Sequence, residues 1–294
     1  MSVEGLDAHL ATGVTGIARC WKLTRRDGRT YGFTDHDRDL VFDGVTFRAG
    51  TGLSAASLSQ STGLAVDNTE AVGALSDAAV TEADIAAGRF DGAAIEAWSV
   101  QWADPANRVI QFRGTLGEVS RANGAFTVEL RGLAEALNVA RGRVHQKSCP
   151  AVLGDADCGF DLATPGYSVE LPVASAEGAR VFTFAQAGGF EARWFERGVV
   201  SVLDGAAAGL SGAIKRDRPE TGGARRVELW DSLRAEVAPG DRLKLVAGCD
   251  KRMETCRLKF SNILNFRGFP DIPGEDWMLA HPTRLSVRTG GSRR

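Results

Sequence analysis

The sequence predicts a mainly β protein, a β-rich α+β fold with more than one domain. Short segments that alternate apolar and polar residues recur along most of the chain, and Asp-Gly or Asn-Gly steps separate several of them. Helical periodicity is confined to a few short stretches. The chain has 294 residues, which is longer than one typical domain. We therefore expect strands to supply most of the core, with an insertion or a second domain.

The first 140 residues are expected to form an N-terminal β-rich domain. Hairpin turns are predicted at residues 26–28, 43–44 and 123–124. Short helices are predicted over residues 5–16, 81–90 and 132–139. The second of these has the clearest end signals, because Thr81 is a good N-cap and Gly88 a good stop.

A second group of short apolar segments, punctuated by Gly and Pro, predicts a small β-barrel or sandwich. Two pairs of cysteines bracket it, so it looks like a module inserted between them. The expected domains are an N-terminal domain over 1–140, a cysteine region formed by 141–166 and 247–280, the inserted module over 167–246, and a tail over 281–294. Trp277 and Met278 are expected to dock the segment that precedes the tail.

Composition excludes several classes of function. Hydrophobic residues make up 44% and charged residues 24% of the chain, as in ordinary globular proteins. The net charge of -2 argues against sequence-specific nucleic-acid binding, which leaves a basic footprint. No apolar run is long enough to span a membrane, and the N-terminus has no secretory h-region. We therefore expect synthesis in the cytoplasm, where paired cysteines are more often metal-binding or catalytic than disulfide-bonded.

The cysteines form the most informative pattern. Eight residues separate Cys149 from Cys158, and six separate Cys249 from Cys256. Both spacings are wider than those of most structural zinc sites, while four thiolates also suit a 4Fe-4S cluster. Glycines that permit close backbone approach and basic residues that offset negative charge lie nearby: Gly154, Gly159, Gly248, Lys147, Lys251, Arg252, Arg257 and Lys259. Spacing alone leaves unligated thiols, zinc and an iron-sulfur cluster open.

No residue pattern indicates an enzyme. The chain lacks a nucleophile elbow, a phosphate-binding loop and a His-Glu-x-x-His helix, and its four histidines are scattered. The residues Asp35, His36, Asp37 and Asp39 are expected to be a polar strand end, because alternate residues of a strand face opposite sides. Cys20 alternates with apolar residues and is expected to be a buried thiol.

Three stretches together carry a resemblance to a known family. They are GCDKRMETCRLKFSNILNFRGFP (248–270), FTDHDRDLVFDG (33–44) and the C-P-x-x-x-G-D-x-x-C-G segment (149–159). The chain resembles the tail-tip hub proteins of siphophages, prophages and gene transfer agents, and its C-terminal end resembles iron-sulfur tail tip proteins of the phage lambda type. The C-terminal stretch is the most specific of the three.

The resemblance implies a multi-domain, non-enzymatic hub at the tail tip of a virion, assembled in the host cytoplasm as a homotrimer. It implies that Cys149, Cys158, Cys249 and Cys256 ligate a 4Fe-4S cluster, with zinc as the alternative metal. The turn beside the cluster would consist of Asn265, Phe266, Gly268, Phe269 and Pro270. The implied partners are the distal tail protein, the tape measure protein and the central tip or fibre proteins. A zinc-stabilised binding module and an iron-sulfur redox protein are the alternative functions.

Overall fold

The protein is described here by a computed structural model. It describes residues 3–13, 15–49, 53–54, 68–73, 81–122, 125–132, 137, 142–187 and 189–272. The chain divides into two compact units, Met1–Ala140 and Arg141–Arg294. Both described units are built mainly from strands, which confirms the mainly β prediction.

The first unit contains a nine-stranded sheet. Its strands are β1 (Ile17–Thr24), β2 (Thr30–Thr34), β3 (Leu40–Phe42), β4 (Val45–Arg48), β5 (Leu53–Ser54), β6 (Asn68–Gly73), β7 (Ala94–Gln101), β8 (Arg108–Ala122) and β9 (Ala125–Gly132). Their order is β3-β4-β2-β1-β7-β8-β9-β6-β5. Neighbours are antiparallel except β2 and β4, which are parallel. The helices of this unit whose bounds are described are α1 (Val3–Ala11) and α2 (Glu82–Ala86).

Both faces of the central strands are buried, so β1 carries two apolar stripes. Trp21 packs into one cluster together with Phe33 and Phe112. Cys20, its neighbour in sequence, packs into another cluster together with Phe47. Successive strand residues point to opposite faces, which is why one strand serves two cores. Cys20 is 0% exposed, so the prediction that it is a buried thiol is confirmed.

Local signals correctly predicted two of the three hairpin turns, at 26–28 and 43–44, and the start of one helix, although that helix ends at Ala86 rather than at residue 90. The turn between β3 and β4 has left-handed backbone at Asp43 and Gly44, as a two-residue hairpin requires. The side chain of Thr81 caps α2, and Gly88 follows that helix with φ of 70°. The helix predicted over 5–16 was wrong in extent, because α1 ends at Ala11 ahead of a left-handed glycine.

Two further predictions fall mostly outside the described residues. The turn at 123–124 lies outside the described residues, although β8 and β9 pair on either side of it. The helix predicted over 132–139 begins at the last residue of β9, and residue 137 is its only other described position.

The second unit contains a seven-stranded sheet. Its strands are β10 (Ser168–Pro172), β11 (Ser175–Glu177), β12 (Val181–Phe184), β13 (Val199–Val202), β14 (Ser211–Pro219), β15 (Arg225–Leu229) and β16 (Arg242–Val246). Their order is β10-β16-β13-β14-β15-β12-β11, and all the pairs are antiparallel. Since β10 and β11 are successive parts of one stretch of chain, the sheet closes on itself as a small barrel.

The barrel encloses an apolar core of Phe, Val, Leu and Ile side chains with one ion pair inside it. Arg225 and Asp217 are each 1% exposed. The Nη1 atom of Arg225 lies 2.8 and 2.7 Å from the two carboxylate oxygens of Asp217. Its Nη2 atom donates to the carbonyl oxygens of Phe190 and Glu191, and Asp217 also accepts the backbone N–H of Phe195. The pair therefore fixes the long β12–β13 loop against the barrel wall.

Within the described residues 142–167 and 247–272, which flank the barrel, the chain is irregular except for two short elements. After β16 come helix α3 (Met253–Leu258) and a 3-10 turn over Ile263–Asn265. Neither was predicted from the sequence. Among the described residues, no helix has the length and apolar character needed to cross a membrane.

Candidate metal centre

Pairing of β10 with β16 brings the two cysteine-bearing segments together. Ser168, the first residue of β10, lies opposite Val246, the last residue of β16. The N–H of Ala247 also donates to the carbonyl oxygen of Tyr167 at 2.7 Å. The segments before β10 and after β16 therefore leave the barrel at the same end, although about ninety residues separate them in sequence.

Four of the five cysteines line one small pocket at this end. Cys149 and Cys158 lie on the segment before β10, Cys249 follows β16, and Cys256 lies on α3. The pocket has a volume of about 20 Å³, and its wall also includes Phe260. None of these cysteines forms a disulfide, and each is partly exposed. The two pairs predicted to meet thus face a common space.

A single carboxylate organises the loop between Cys149 and Cys158. Asp155 accepts the backbone N–H of Val152 and that of Cys158, each at 2.7 Å. Its own carbonyl oxygen accepts the N–H of Gly159 at 2.8 Å. The N–H of Cys158, followed by that of Val152, lowers the pKa of Asp155 below its usual value. The ionised carboxylate therefore holds Cys158 in position.

Lys251 joins the two cysteine segments directly. Its carbonyl oxygen accepts the N–H of Cys149 at 2.9 Å, and its ammonium donates to the carbonyl oxygen of Ala151 at 2.5 Å. Lys251 also has a φ of 67°, which is uncommon for a residue with a side chain. The left-handed turn just after Cys249 is thus fixed by contacts across the site.

Lys259 ties the cysteine segments to the barrel. Its Nζ atom donates to the carbonyl oxygens of Trp194 and Gly248, at 2.6 and 2.9 Å. The same atom lies 4.2 Å from the centroid of the Trp194 ring, and Tyr167 donates its hydroxyl to the Lys259 carbonyl oxygen at 2.6 Å. Burial lowers the pKa of Lys259, and the charge of Cys249 opposes that effect. A cation is therefore held beside the thiols.

Asn262 contacts cysteines from both segments. Its Nδ2 atom lies 2.7 Å from the carbonyl oxygen of Cys158 and 3.6 Å from the sulfur of that residue. Its carbonyl oxygen accepts the thiol of Cys256 at 3.2 Å. Asn265 donates its side-chain N–H to Asn262 Oδ1 at 2.7 Å, which fixes the orientation of the amide.

The turn 265–270 packs against the chain that leads into Cys149. The N–H of Phe269 donates to the carbonyl oxygen of Gln146 at 2.8 Å. A side chain at Gly268 would place its Cβ atom 2.6 Å from the carbonyl oxygen of Lys147. Only glycine allows so close an approach of two backbones.

Burial disfavours the thiolate form of two of the four cysteines, Cys249 and Cys256. Burial, reinforced by the other three cysteines, raises the pKa of Cys256 to about 11. Burial also raises the pKa of Cys249. Metal ligation requires thiolates, so any metal uptake here releases protons. As they stand, no three His, Cys, Asp or Glu side chains of the described ranges lie close enough together to hold a metal ion.

Comparison with known proteins identifies the family. A family model described as "Baseplate hub protein, N-terminal attachment domain" matches residues 4–161, more than half of the chain. The chain belongs to the baseplate hub protein family. A second family model, described as a phage conserved hypothetical protein, matches the hub protein over residues 193–276. Each match contains one of the two cysteine pairs.

A solved structure supports the same assignment. A chain of the structure described as "Virion of native gene transfer agent (GTA) particle" is 56% identical to the hub protein, with a TM-score of 0.92. The similarity covers 98% of the hub protein and 99% of that chain. No curated protein matches the sequence significantly. The hub protein is thus a structural component of the tail baseplate of a phage or gene transfer agent virion, where it contacts other tail proteins.

The acidic and His cluster at 35–39 of the hub protein has local roles. The carboxylate of Asp35 accepts the N–H of Arg19 at 2.6 Å, and that of Asp39 accepts the N–H of Ala49 at 2.8 Å. The first bond satisfies a backbone group within β1 just beyond the end of its pairing with β2, and the second satisfies the residue that follows β4. They are the bonds expected of a polar strand end.

Sequence reasoning missed the residues that shape the site without being candidate ligands. Asp155 stands three positions before Cys158, a spacing at which an Asp side chain commonly accepts a backbone N–H, so this signal was available. Asn262 and Tyr167 carry no such local signal, because their partners are distant in sequence. Their roles follow only from the closure of the barrel.

Proposed function

We propose that the hub protein is a structural part of the tail tip that carries one 4Fe-4S cluster, held by Cys149, Cys158, Cys249 and Cys256. The observation that supports this proposal is the shared pocket of these four cysteines at one end of the barrel. When bound, the cluster would supply a four-point cross-link between the chain entering the barrel and the chain leaving it.

The chemistry of the donor set supports a sulfur-seeking metal. Cysteine-only sites favour zinc or iron-sulfur clusters over hard cations such as magnesium or calcium. In a 4Fe-4S cluster each of the four irons takes one cysteine, so the ligand sulfurs lie farther apart than around a single zinc ion. The resemblance of the C-terminal stretch to iron-sulfur tail tip proteins favours the cluster over zinc.

The residues around the pocket are suited to a structural cluster. Lys259 and Lys251 bring positive charge toward an anionic group. Because such a site exists only in the folded chain, the free energy of metal binding adds to the free energy of folding. Ligation by four cysteines also leaves no open iron for substrate chemistry, so a non-enzymatic role follows.

For assembly, we propose a homotrimer around the tail axis. The expected neighbours are the distal tail protein, the tape measure protein and the central tip or fibre proteins, and the assembly would connect the tail tube to the distal tip for DNA delivery. Cross-linking mass spectrometry and imaging of assembled particles test this arrangement. A hub protein that stays monomeric, both alone and with its tail partners, would contradict it.

Iron and sulfide assays on anaerobically purified protein test the cluster. We expect about four irons and four sulfides per chain, together with the broad visible absorption of an iron-sulfur chromophore. Cys158→Ser and Cys249→Ser should be colourless or poorly soluble, whereas the matched control Cys20→Ser should retain colour and yield.

The alternatives give different results in the same assays. Stoichiometric zinc without iron would indicate a zinc-stabilised binding module. A reversible one-electron potential with an identified partner would indicate an iron-sulfur redox protein. Equal tolerance of serine at all five cysteine positions would contradict a shared site.

A further inference from the structure

We infer that Asn262 is a positioning residue for the metal centre: its side-chain amide orients Cys158 and donates an N–H to the Cys158 sulfur, which raises the reduction potential of the bound cluster. This inference rests on the proposed function, because it names a determinant of the same site. Asn262 belongs to the wall of the pocket that the four cysteines share.

The orientation of the Asn262 amide is fixed from both ends. Its Nδ2 atom faces the carbonyl oxygen of Cys158 at 2.7 Å, an acceptor that requires the NH2 end of the amide there. Its Oδ1 atom accepts the side-chain N–H of Asn265 at 2.7 Å. Since the first N–H is used by the carbonyl, the second N–H of the same nitrogen is available to the Cys158 sulfur, 3.6 Å away.

The backbone of Asn262 places it against the other cysteine segment. Its N–H donates to the carbonyl oxygen of Cys256 at 2.9 Å, and its carbonyl oxygen accepts the Cys256 thiol at 3.2 Å. One residue thus contacts a cysteine from each pair. A change at Asn262 alters the position of Cys158 relative to Cys256 without removing a ligand.

An N–H donor to a ligand sulfur favours the more negative, reduced state of an iron-sulfur cluster. Only a side chain with a donor of this reach can act in this way. Asp has the shape but no donor, Leu has the size but no polar atom, and Gln keeps the amide on a longer chain. These three substitutions therefore separate the effect of the N–H donor from the effect of side-chain shape.

The test uses the full-length, anaerobically purified protein and follows the cluster by dye-mediated redox titration with EPR detection. At unchanged iron content, Asn262→Leu and Asn262→Asp should shift the midpoint potential to lower values, and Asn262→Gln should lie between them and the parent protein. Leu264→Ala, a change at a 95% exposed neighbour, is the matched control and should leave the potential unchanged. A parent-like potential in Asn262→Leu would overturn the inference.

A second measurement keeps the inference testable if a variant takes up no cluster. In the metal-free chain, alkylation of Cys158 relative to Cys149 reports how firmly Cys158 is held. Loss of one hydrogen bond of about 1 kcal/mol should raise this ratio about fivefold in Asn262→Leu. An unchanged ratio would overturn the positioning role. If the parent protein itself binds no iron, the proposed function fails, while this ratio still decides the positioning role.

Discussion

Removal of the buried guanidinium of Arg225 tests how the barrel fixes the loop that reaches the candidate metal centre. In Arg225→Met, the carboxylate of Asp217 keeps the N–H of Phe195 but loses both of its charged hydrogen bonds. The carbonyl oxygens of Phe190 and Glu191 lose their donor at the same time. Trp194 lies in this loop, and its carbonyl oxygen accepts the ammonium of Lys259, so the loss of order should extend toward the cysteines.

The size of the stability loss in Arg225→Met follows from the burial of the ion pair. Burial raises the pKa of Asp217, even though Phe195 and Arg225 oppose it, so its charge is tolerated only with the partner in place. Loss of one member of a buried pair costs about 3–5 kcal/mol, because the remaining charge is uncompensated. The double variant Asp217→Leu with Arg225→Met removes both charges. Its loss in free energy of unfolding should be about 2 kcal/mol smaller than the sum of the losses in the two single variants.

Urea unfolding and hydrogen exchange of the loop measure this prediction. We expect a lower unfolding midpoint and faster exchange of the Phe195 amide in Arg225→Met. Arg193→Met is the matched control, because Arg193 forms a solvent-exposed pair with Glu196 and such pairs contribute little to stability. If Arg225→Met unfolds at the same urea concentration as Arg193→Met, the reasoning about the buried pair is refuted.

Three other predictions concern the cysteine segments and the first unit. Gly248→Ala should lower stability and metal content, since a methyl group there overlaps the carbonyl oxygen of Glu196, whereas Gly142→Ala, which meets open space, should change neither. Protection of the Cys158 amide from hydrogen exchange should be full above pH 3.8 and should decline as the pH falls through the lowered pKa of Asp155, because protonation weakens the carboxylate as an acceptor for that amide. Protection that stays unchanged at acidic pH would contradict this. In urea unfolding, the free energy of unfolding of Cys20→Ser should lie within about 2 kcal/mol of that of the parent protein, because Thr34 offers a hydrogen-bond partner to the buried hydroxyl. A larger loss of stability would contradict this, because it would mean that the site does not accept a polar side chain.

Local sequence signals predicted the parts of the fold that depend on local physics. The Asp43-Gly44 step adopts the left-handed backbone that its hairpin needs, and Thr81 caps the helix that follows it. Alternation of apolar and polar residues likewise indicated strands in both units. These features depend only on residues that are neighbours in sequence, so they can be predicted from short segments of it.

Other features depend on contacts between distant residues. The meeting of the cysteine pairs depends on the register of Ser168 against Val246, which no single segment specifies. Helix α3 has only six residues and no side-chain N-cap, so its sequence carries no start signal. Asn262 acts through partners about one hundred positions away, and only the folded chain identifies it as part of the site.

X-ray absorption spectroscopy of the anaerobically purified hub protein tests the central proposal most directly. Four thiolates around a 4Fe-4S cluster predict an iron edge with a shell of sulfur neighbours and a second shell of iron neighbours. Both shells should vanish in Cys249→Ser and persist in Cys20→Ser. A zinc edge with sulfur neighbours alone, or no metal at stoichiometric level, would contradict the proposal that these four cysteines hold an iron-sulfur cluster.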